Sequence, residues 1–262
     1  MKKYKAVVCD IDGTILDANH QIPVELINLF VQLQNAGVVV TLASARPTKS
    51  ILDVARQLNL RLPVIALNGS VIVNQQTELI YSSQFEFAKI NPVLEKFSGV
   101  VVNSYNGVNW HASHRNEMLE LEERFVGFKA TIGAEFPQSS NMIVLNASNA
   151  KLLEIQQYIL ANEPELSAVF SHVEYLHIAV QGICKASGIS QFAQLHGLEL
   201  DDFVAFGDGE NDISMLQRVG HGVAMGNASE RVKQAAKQVT LSNEELGVVR
   251  YLEDLLKLGL IG

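Results

Sequence analysis

Short apolar runs and amphipathic stretches alternate through the first third of this chain. Ala6-Val7-Val8-Cys9 is compact and mostly apolar, as a strand covered on both faces must be. Val24 to Asn35 places Ile27, Phe30, Val31 and Gln34 at helical spacing and stops before Gly37. A β-branched strand from Val38, a helix from Pro47 to Leu58 and a strand from Val64 follow. Val71-Ile72-Val73 and Leu79-Ile80-Tyr81 form a predicted hairpin around Asn74 to Glu78. From about Ser83 to Gln181 the rhythm changes to an α+β pattern. Val100 to Tyr105 and Val108 to His111 flank Asn106-Gly107, a hairpin signal. Met118 to Phe128 and Lys151 to Leu160 read as helices; Met142 to Leu145 and the run from Ala168 to Val180 read as strands. After Gly182 the helix and strand alternation returns. The pattern predicts an α/β chain whose core is split by an inserted α+β domain, with hinges near Ser82-Ser83 and Gln181-Gly182.

Two of the predicted strands run into acidic turns. Asp10-Ile11-Asp12-Gly13-Thr14 follows Ala6 to Cys9, and Gly207-Asp208-Gly209-Glu210-Asn211-Asp212 follows Phe203-Val204-Ala205-Phe206. The first is not a calcium loop. Counting from Asp10, Ile15 stands where glycine is required and Gln21 where glutamate is required. A single acidic turn is an ordinary solvated loop, but two after buried strands predict converging strand ends, where open α/β sheets bind ligands. Like charges ~4 Å apart repel by about 4 kcal/mol at an effective dielectric near 20, so Asp10, Asp12, Asp208 and Asp212 together call for a cation. Carboxylate oxygens suit Mg²⁺ rather than zinc. Such an ion shares a substrate phosphate, which also needs donors. Ser44, with the backbone N–H groups after it, and Lys185 are the candidates. Ser44 as a simple helix cap and Lys185 as a solvated surface group are the plainer alternatives.

Composition narrows the field. The chain has 262 residues, 48% of them apolar, which suffices for a substantial core in one or two domains. A formal net charge of −8 argues against a nucleic-acid surface. No apolar stretch is long enough to span a bilayer, and Asp10 interrupts the first apolar run too early for a signal peptide. Cys9 and Cys184 fit thiols in a reducing cytoplasm better than a disulfide. The expected location is therefore cytoplasmic. His111 and His114 have no carboxylate partner, so a zinc site there is rejected.

Taken in order, these motifs resemble those of a haloacid dehalogenase superfamily phosphatase of the Cof type, the class with the larger C2B cap. Asp10 to Thr14 resembles the first motif, Ser44-Ala45-Arg46-Pro47 the second, Lys185 the third and Gly207 to Asp212 the fourth. Asn68-Gly69 and Gly226-Asn227-Ala228 match two further landmarks. The second motif departs from the more frequent threonine-glycine: serine keeps the hydroxyl, while alanine narrows the backbone.

The resemblance implies a Rossmann-like three-layer αβα core with a parallel sheet, made of residues 1–82 and 183–262, and a cap of residues 83–182. It implies that Asp10 attacks phosphorus to give an aspartyl-phosphate and that Asp12 serves as acid and then base. Asp10, Asp12 (through its carbonyl) and Asp208 would hold Mg²⁺, with Asp212 supporting it through water; Ile11, Ser44, Ala45, Lys185 and Asn211 would hold phosphate oxygens. The partner would be a small phosphorylated metabolite such as a sugar phosphate. Tyr105, Trp110, His111, Tyr175 and His177 are candidate cap residues for specificity, although ordinary packing explains each as well. A phosphomutase of the same chemistry and a phospho-acceptor or binding protein without turnover remain as alternatives. Oligomeric state and the particular substrate are not legible in the sequence.

Overall fold

The structure, a computed structural model, describes residues 3–133 and 135–262, the side chain of His172 excepted. The chain divides into two compact units. The first comprises Met1–Ala45, Ile51–Ile80 and Cys184–Gly262; the second comprises Arg46–Ser50 and Tyr81–Ile183. Arg46–Ser50 falls in the second unit, unlike the division read from the sequence. There Thr48 Oγ1 donates to the Gly107 carbonyl at 2.6 Å.

In the first unit a parallel sheet runs in the order Gln238–Val239, His221–Ala224, Phe203–Gly207, Ala6–Cys9 and Val39–Leu42. Ala6, Val7, Val8 and Cys9 are wholly buried at its centre. Burial of a valine side chain stabilises by about 1.5–3 kcal/mol, which explains why this short strand is apolar at every position. The helix Val24–Asn35 packs beside Gly247–Lys257, and Lys185–Leu195 beside Ile213–Arg218. Val64–Ala66 extends the sheet through a parallel bridge from Ile65 to Ala43. It then pairs antiparallel with Val71–Val73.

Register is what matters for the site. Cys9 lies level with Phe206 on one side and with Leu42 on the other. Three parallel strands therefore finish at the same height, and the residues that follow them, Asp10, Gly207-Asp208 and Ala43-Ser44, leave one edge of the sheet together.

The second unit is built on a sheet in the order Leu166–His172, Tyr175–Val180, Met142–Asn146, Val101–Asn106, Asn109–Ala112 and Thr131–Ile132. Its pairs are antiparallel except the last, which is parallel. Asn106 pairs with Asn109, so the hairpin loop is Gly107-Val108, one residue later than the sequence signal suggested. One face of this sheet packs Val102, Ile143, Leu145, Leu176 and Ile178 into a core with Leu152, Ile155 and Ile159 of the helix Asn149–Asn162. Residues alternate between faces along a strand. Cross-strand register therefore places Tyr105, Trp110, Tyr175 and His177 on the opposite face, and His111, level with Ser104, on the core side.

Burial depresses the pKa of His177 to about 4 from its ordinary 6.5, and Ser171 Oγ lies 2.7 Å from its Nε2. The fold therefore favours the neutral ring. Its contribution is intact above pH 6.5 and is lost as pH falls toward 4, because the unfolded chain takes up the proton first. His177→Gln should flatten the fall in denaturation midpoint across that window. Parallel pH curves for the variant and the parent would refute the assignment.

Candidate active site

Lys185 is the pivot. It opens the helix Lys185–Leu195 and is wholly buried. Its Nζ lies 2.6 Å from Asp10 Oδ1 and 2.6 Å from Asp212 Oδ1. Asp212 spends its other oxygen on the turn that carries it: Oδ2 accepts from the backbone N–H of Asp208 at 3.0 Å and of Gly209 at 2.9 Å. One fully buried carboxylate thus fixes both the lysine and the acidic turn. A Cβ at Gly207 would fall 2.5 Å from the Asp212 carboxyl carbon, so only glycine permits this folding back.

The two acidic turns also meet directly. Thr14 Oγ1 donates to Asp208 Oδ1 at 2.9 Å. Gly13 has φ +71°, and a Cβ there would sit 2.2 Å from Asp208 Oδ2. Glycine is needed both for that conformation and for that approach. Asp10, Asp208 and Asp212 each offer an oxygen within 4.8 Å of the others. Asp12 is partly buried and near enough for its charge to act on Asp208.

The electrostatics follow from burial. Burial first, and then the charge of Asp212, push the Asp10 carboxyl up to about 7, with Lys185 opposing. Burial also raises Asp208 to about 6; the Thr14 hydrogen bond opposes this, while Asp212 and Asp12 add to it. Burial would lower the Lys185 pKa, but Asp10 and Asp212 outweigh it and hold the ammonium charged. Three clustered carboxylates, with Asp12 near Asp208, against one ammonium leave negative charge in excess. The donor set contains carboxylates and no histidine or cysteine. A hard divalent cation of the Mg²⁺ kind fits both the donors and the surplus charge.

The remaining predicted residues are placed as follows. Ser44 is buried; its N–H donates to the Ile65 carbonyl at 3.0 Å and its carbonyl accepts from Asn68 N at 2.9 Å. Both its backbone groups are thus committed to the fold. Ile11 is fully buried and Ala45 partly so. Asn211 is exposed on the turn, with Oδ1 2.6 Å from where a Cβ on Gly209 would stand. Cys9 and Cys184 are free thiols. In the second unit, Tyr105 and Trp110 are buried and stacked with centroids 5.6 Å apart, and Trp110 Nε1 donates to Asn103 Oδ1 at 3.0 Å. Both serve packing. Tyr175 and His177 are partly buried. Thr14 is a site residue that the motif contains without assigning; its signal in the sequence is the hydroxyl directly after Gly13.

Residues 7–252 match the haloacid dehalogenase-like hydrolase family, and the chain belongs to it. A Haemophilus influenzae protein is 33% identical over 257 residues, covering 96% of this chain and 98% of its own length. The 5-amino-6-(5-phospho-D-ribitylamino)uracil phosphatase YitU of Bacillus subtilis is 25% identical, covering 96% of this chain and 97% of itself. The fold is also similar to that of the subclass IIB sugar phosphatase BT4131, with a TM-score of 0.82 and 26% identity over 98% of this chain and 100% of that one. Among the described residues, no helix is long and apolar enough to cross a membrane.

Removing one partner of a buried ion pair costs about 3–5 kcal/mol because the other charge is stranded. Lys185→Met should destabilise the fold by about that amount, and Asp212→Asn added to it should recover part of the loss. Denaturant titration of the three proteins checks this; a Lys185→Met variant as stable as the parent would show that the pair is not integral to the fold.

Proposed function

We propose that this chain is a Mg²⁺-dependent phosphatase that hydrolyses small phosphorylated metabolites, sugar phosphates or similar monoesters, through an aspartyl-phosphate. The observation that carries the reading is the meeting of Asp10, Asp208, Asp212 and Lys185 at the ends of parallel strands. YitU and BT4131, whose names describe phosphatases of this kind, support it.

In this reading Lys185 holds Asp10 Oδ1 and so presents the other carboxylate oxygen toward phosphorus. That oxygen forms the new O–P bond while the bond to the leaving oxygen breaks, and Asp12 gives its proton to the leaving group. Asp12 then takes a proton from water; the water oxygen bonds to phosphorus, Asp10 is released and orthophosphate departs. The Ser44 hydroxyl, Lys185, Asn211 and the backbone at Ile11 and Ala45 orient the phosphoryl oxygens. Asp10, Asp208, Asp212 and the Asp12 carbonyl would hold Mg²⁺, which when bound supplies positive charge against the phosphoryl oxygens. With both Asp212 oxygens already bonded to protein donors, its support for the ion is indirect. Residues 83–182 would form the cap that selects the leaving group. Tyr175 and His177 are the retained selectors, since Tyr105 and Trp110 are buried by packing and His111 lies on the core side of its sheet. The soluble setting proposed is the cytoplasm.

Asp10→Asn should abolish orthophosphate release while leaving the fold intact, and normal turnover by it would refute the nucleophile. Asp12→Ala should lose about 10²–10⁴-fold in kcat on an alkyl phosphate but much less on 4-nitrophenyl phosphate, whose leaving group needs little protonation. Chelation with EDTA should silence turnover and added Mg²⁺ should restore it; activity indifferent to EDTA would remove the metal from the scheme.

A further inference from the structure

The turn that carries Asp12 satisfies only part of its own backbone. The N–H groups of Thr14, Ile15 and Leu16 all point at the Ile11 carbonyl, at 3.3, 3.0 and 3.2 Å. The carbonyls of Gly13 and Leu16 are taken by side chains from more than two hundred residues away. Asn227 Nδ2 donates to the Gly13 carbonyl at 2.8 Å, and Asn243 Nδ2 donates to the Leu16 carbonyl at 2.8 Å. The two asparagines are themselves joined, because Asn243 N–H donates to Asn227 Oδ1 at 3.1 Å. A third hold lies beside them, where Ala18 N–H donates to Glu244 Oε1 at 2.6 Å.

Both asparagines stand on firm ground. Asn227 follows the strand His221–Ala224, and its neighbours Met225 and Gly226 donate to the carbonyls of Gly207 and Leu241 at 3.0 Å each. Asn243 opens the short turn Asn243–Glu245, locked by Ser242 Oγ donating to Glu245 Oε2 at 2.6 Å. Asn227 uses both ends of its amide, which fixes the orientation of that amide.

Gly13 is the freest residue of the turn, at φ +71°, and the next in the chain after Asp12. An outside hold on its carbonyl fixes the Gly13–Thr14 peptide and so anchors, on its far side, the flexible residue that follows Asp12. We infer that Asn227, braced by Asn243, is a positioning residue that aims the Asp12 carboxyl at the leaving oxygen. This rests on the reading of Asp12 as the acid given above. A small misplacement of a catalytic group costs up to about a hundredfold, so the effect should be visible in rate.

The test compares Asn227→Ala, Asn227→Asp, Asn243→Ala, Asp12→Ala and the Asp12→Ala/Asn227→Ala double variant, each with its denaturation midpoint. The substrates are an alkyl phosphate and 4-nitrophenyl phosphate. Asn227→Ala should lower kcat on the alkyl phosphate about tenfold or more with KM little changed, and should lower it less on 4-nitrophenyl phosphate. In the Asp12→Ala background it should cost nothing further, since residues acting as a unit are not additive. Asn227→Asp keeps the oxygen that Asn243 needs and removes the donor to Gly13, so it should match the alanine variant in rate even if alanine unsettles the fold. Asn243→Ala should show the same pattern more weakly. Equal losses on both substrates, or losses that add to that of Asp12→Ala, would overturn the inference and leave a structural role only. An Asp12→Ala enzyme that loses both substrates equally would instead overturn the acid assignment, and the positioning role would fall with it.

Discussion

A single ammonium group with no exposure to water, Lys185, organises the first unit's charged residues. Two carboxylates reach it at 2.6 Å, one from the end of the first strand and one from the turn after Phe203–Gly207. A buried charge pair contributes little net stability against an apolar replacement, but it is costly to break. Its value is in geometry, since an ion without solvent has few arrangements open to it. Asp10 is held with one oxygen committed, and Asp212 closes the acidic turn onto itself through the N–H groups of Asp208 and Gly209. The negative charge left over after Lys185 is what makes a divalent cation fit.

The sheet makes that arrangement possible. Ala6–Cys9 is bordered by Val39–Leu42 and Phe203–Gly207 in matched register, so three separate stretches of sequence surface at one level. Glycine at positions 13 and 207 then lets two acidic turns approach more closely than any side chain would permit. The residues of the cluster are few, and the buried apolar strands and helix faces of the first unit hold them in place.

Much of this was legible beforehand. An apolar run ending in an acid and a glycine is an unusual local pattern, and its repetition near Phe206 marked both turns; Lys185 was only a candidate beside the plainer reading of a solvated surface group, and took its part from the family resemblance. The helix Val24–Asn35 was readable to the residue because its apolar spacing and Gly37 agree. What escaped depends on distance in the chain. Asn227, exposed, belongs to a landmark that carried no role in the sequence, and Asn243, partly buried, looks like an ordinary loop residue until the fold brings the two to Gly13 and Leu16. The tie from Thr48 to the Gly107 carbonyl is likewise announced by no local pattern. His111 could have been placed from strand alternation, since Tyr105 and Trp110 pair across the hairpin and leave it on the other side. Treating the aromatic residues as a group hid that parity.

The discontinuous first unit has a consequence for biosynthesis. Ala6–Cys9 has Val39–Leu42 on one side soon after it in the chain, but its other neighbour, Phe203–Gly207, follows nearly two hundred residues later. The inserted unit, Tyr81–Ile183 for the most part, holds most of its own pairings and can condense while the remainder is still being translated. Until Phe203–Gly207 is made, one edge of the first strand lacks its hydrogen-bonding partner. Assembly of the acidic cluster therefore waits on the joining of two segments far apart in the chain, Ala6–Cys9 and Phe203–Gly207.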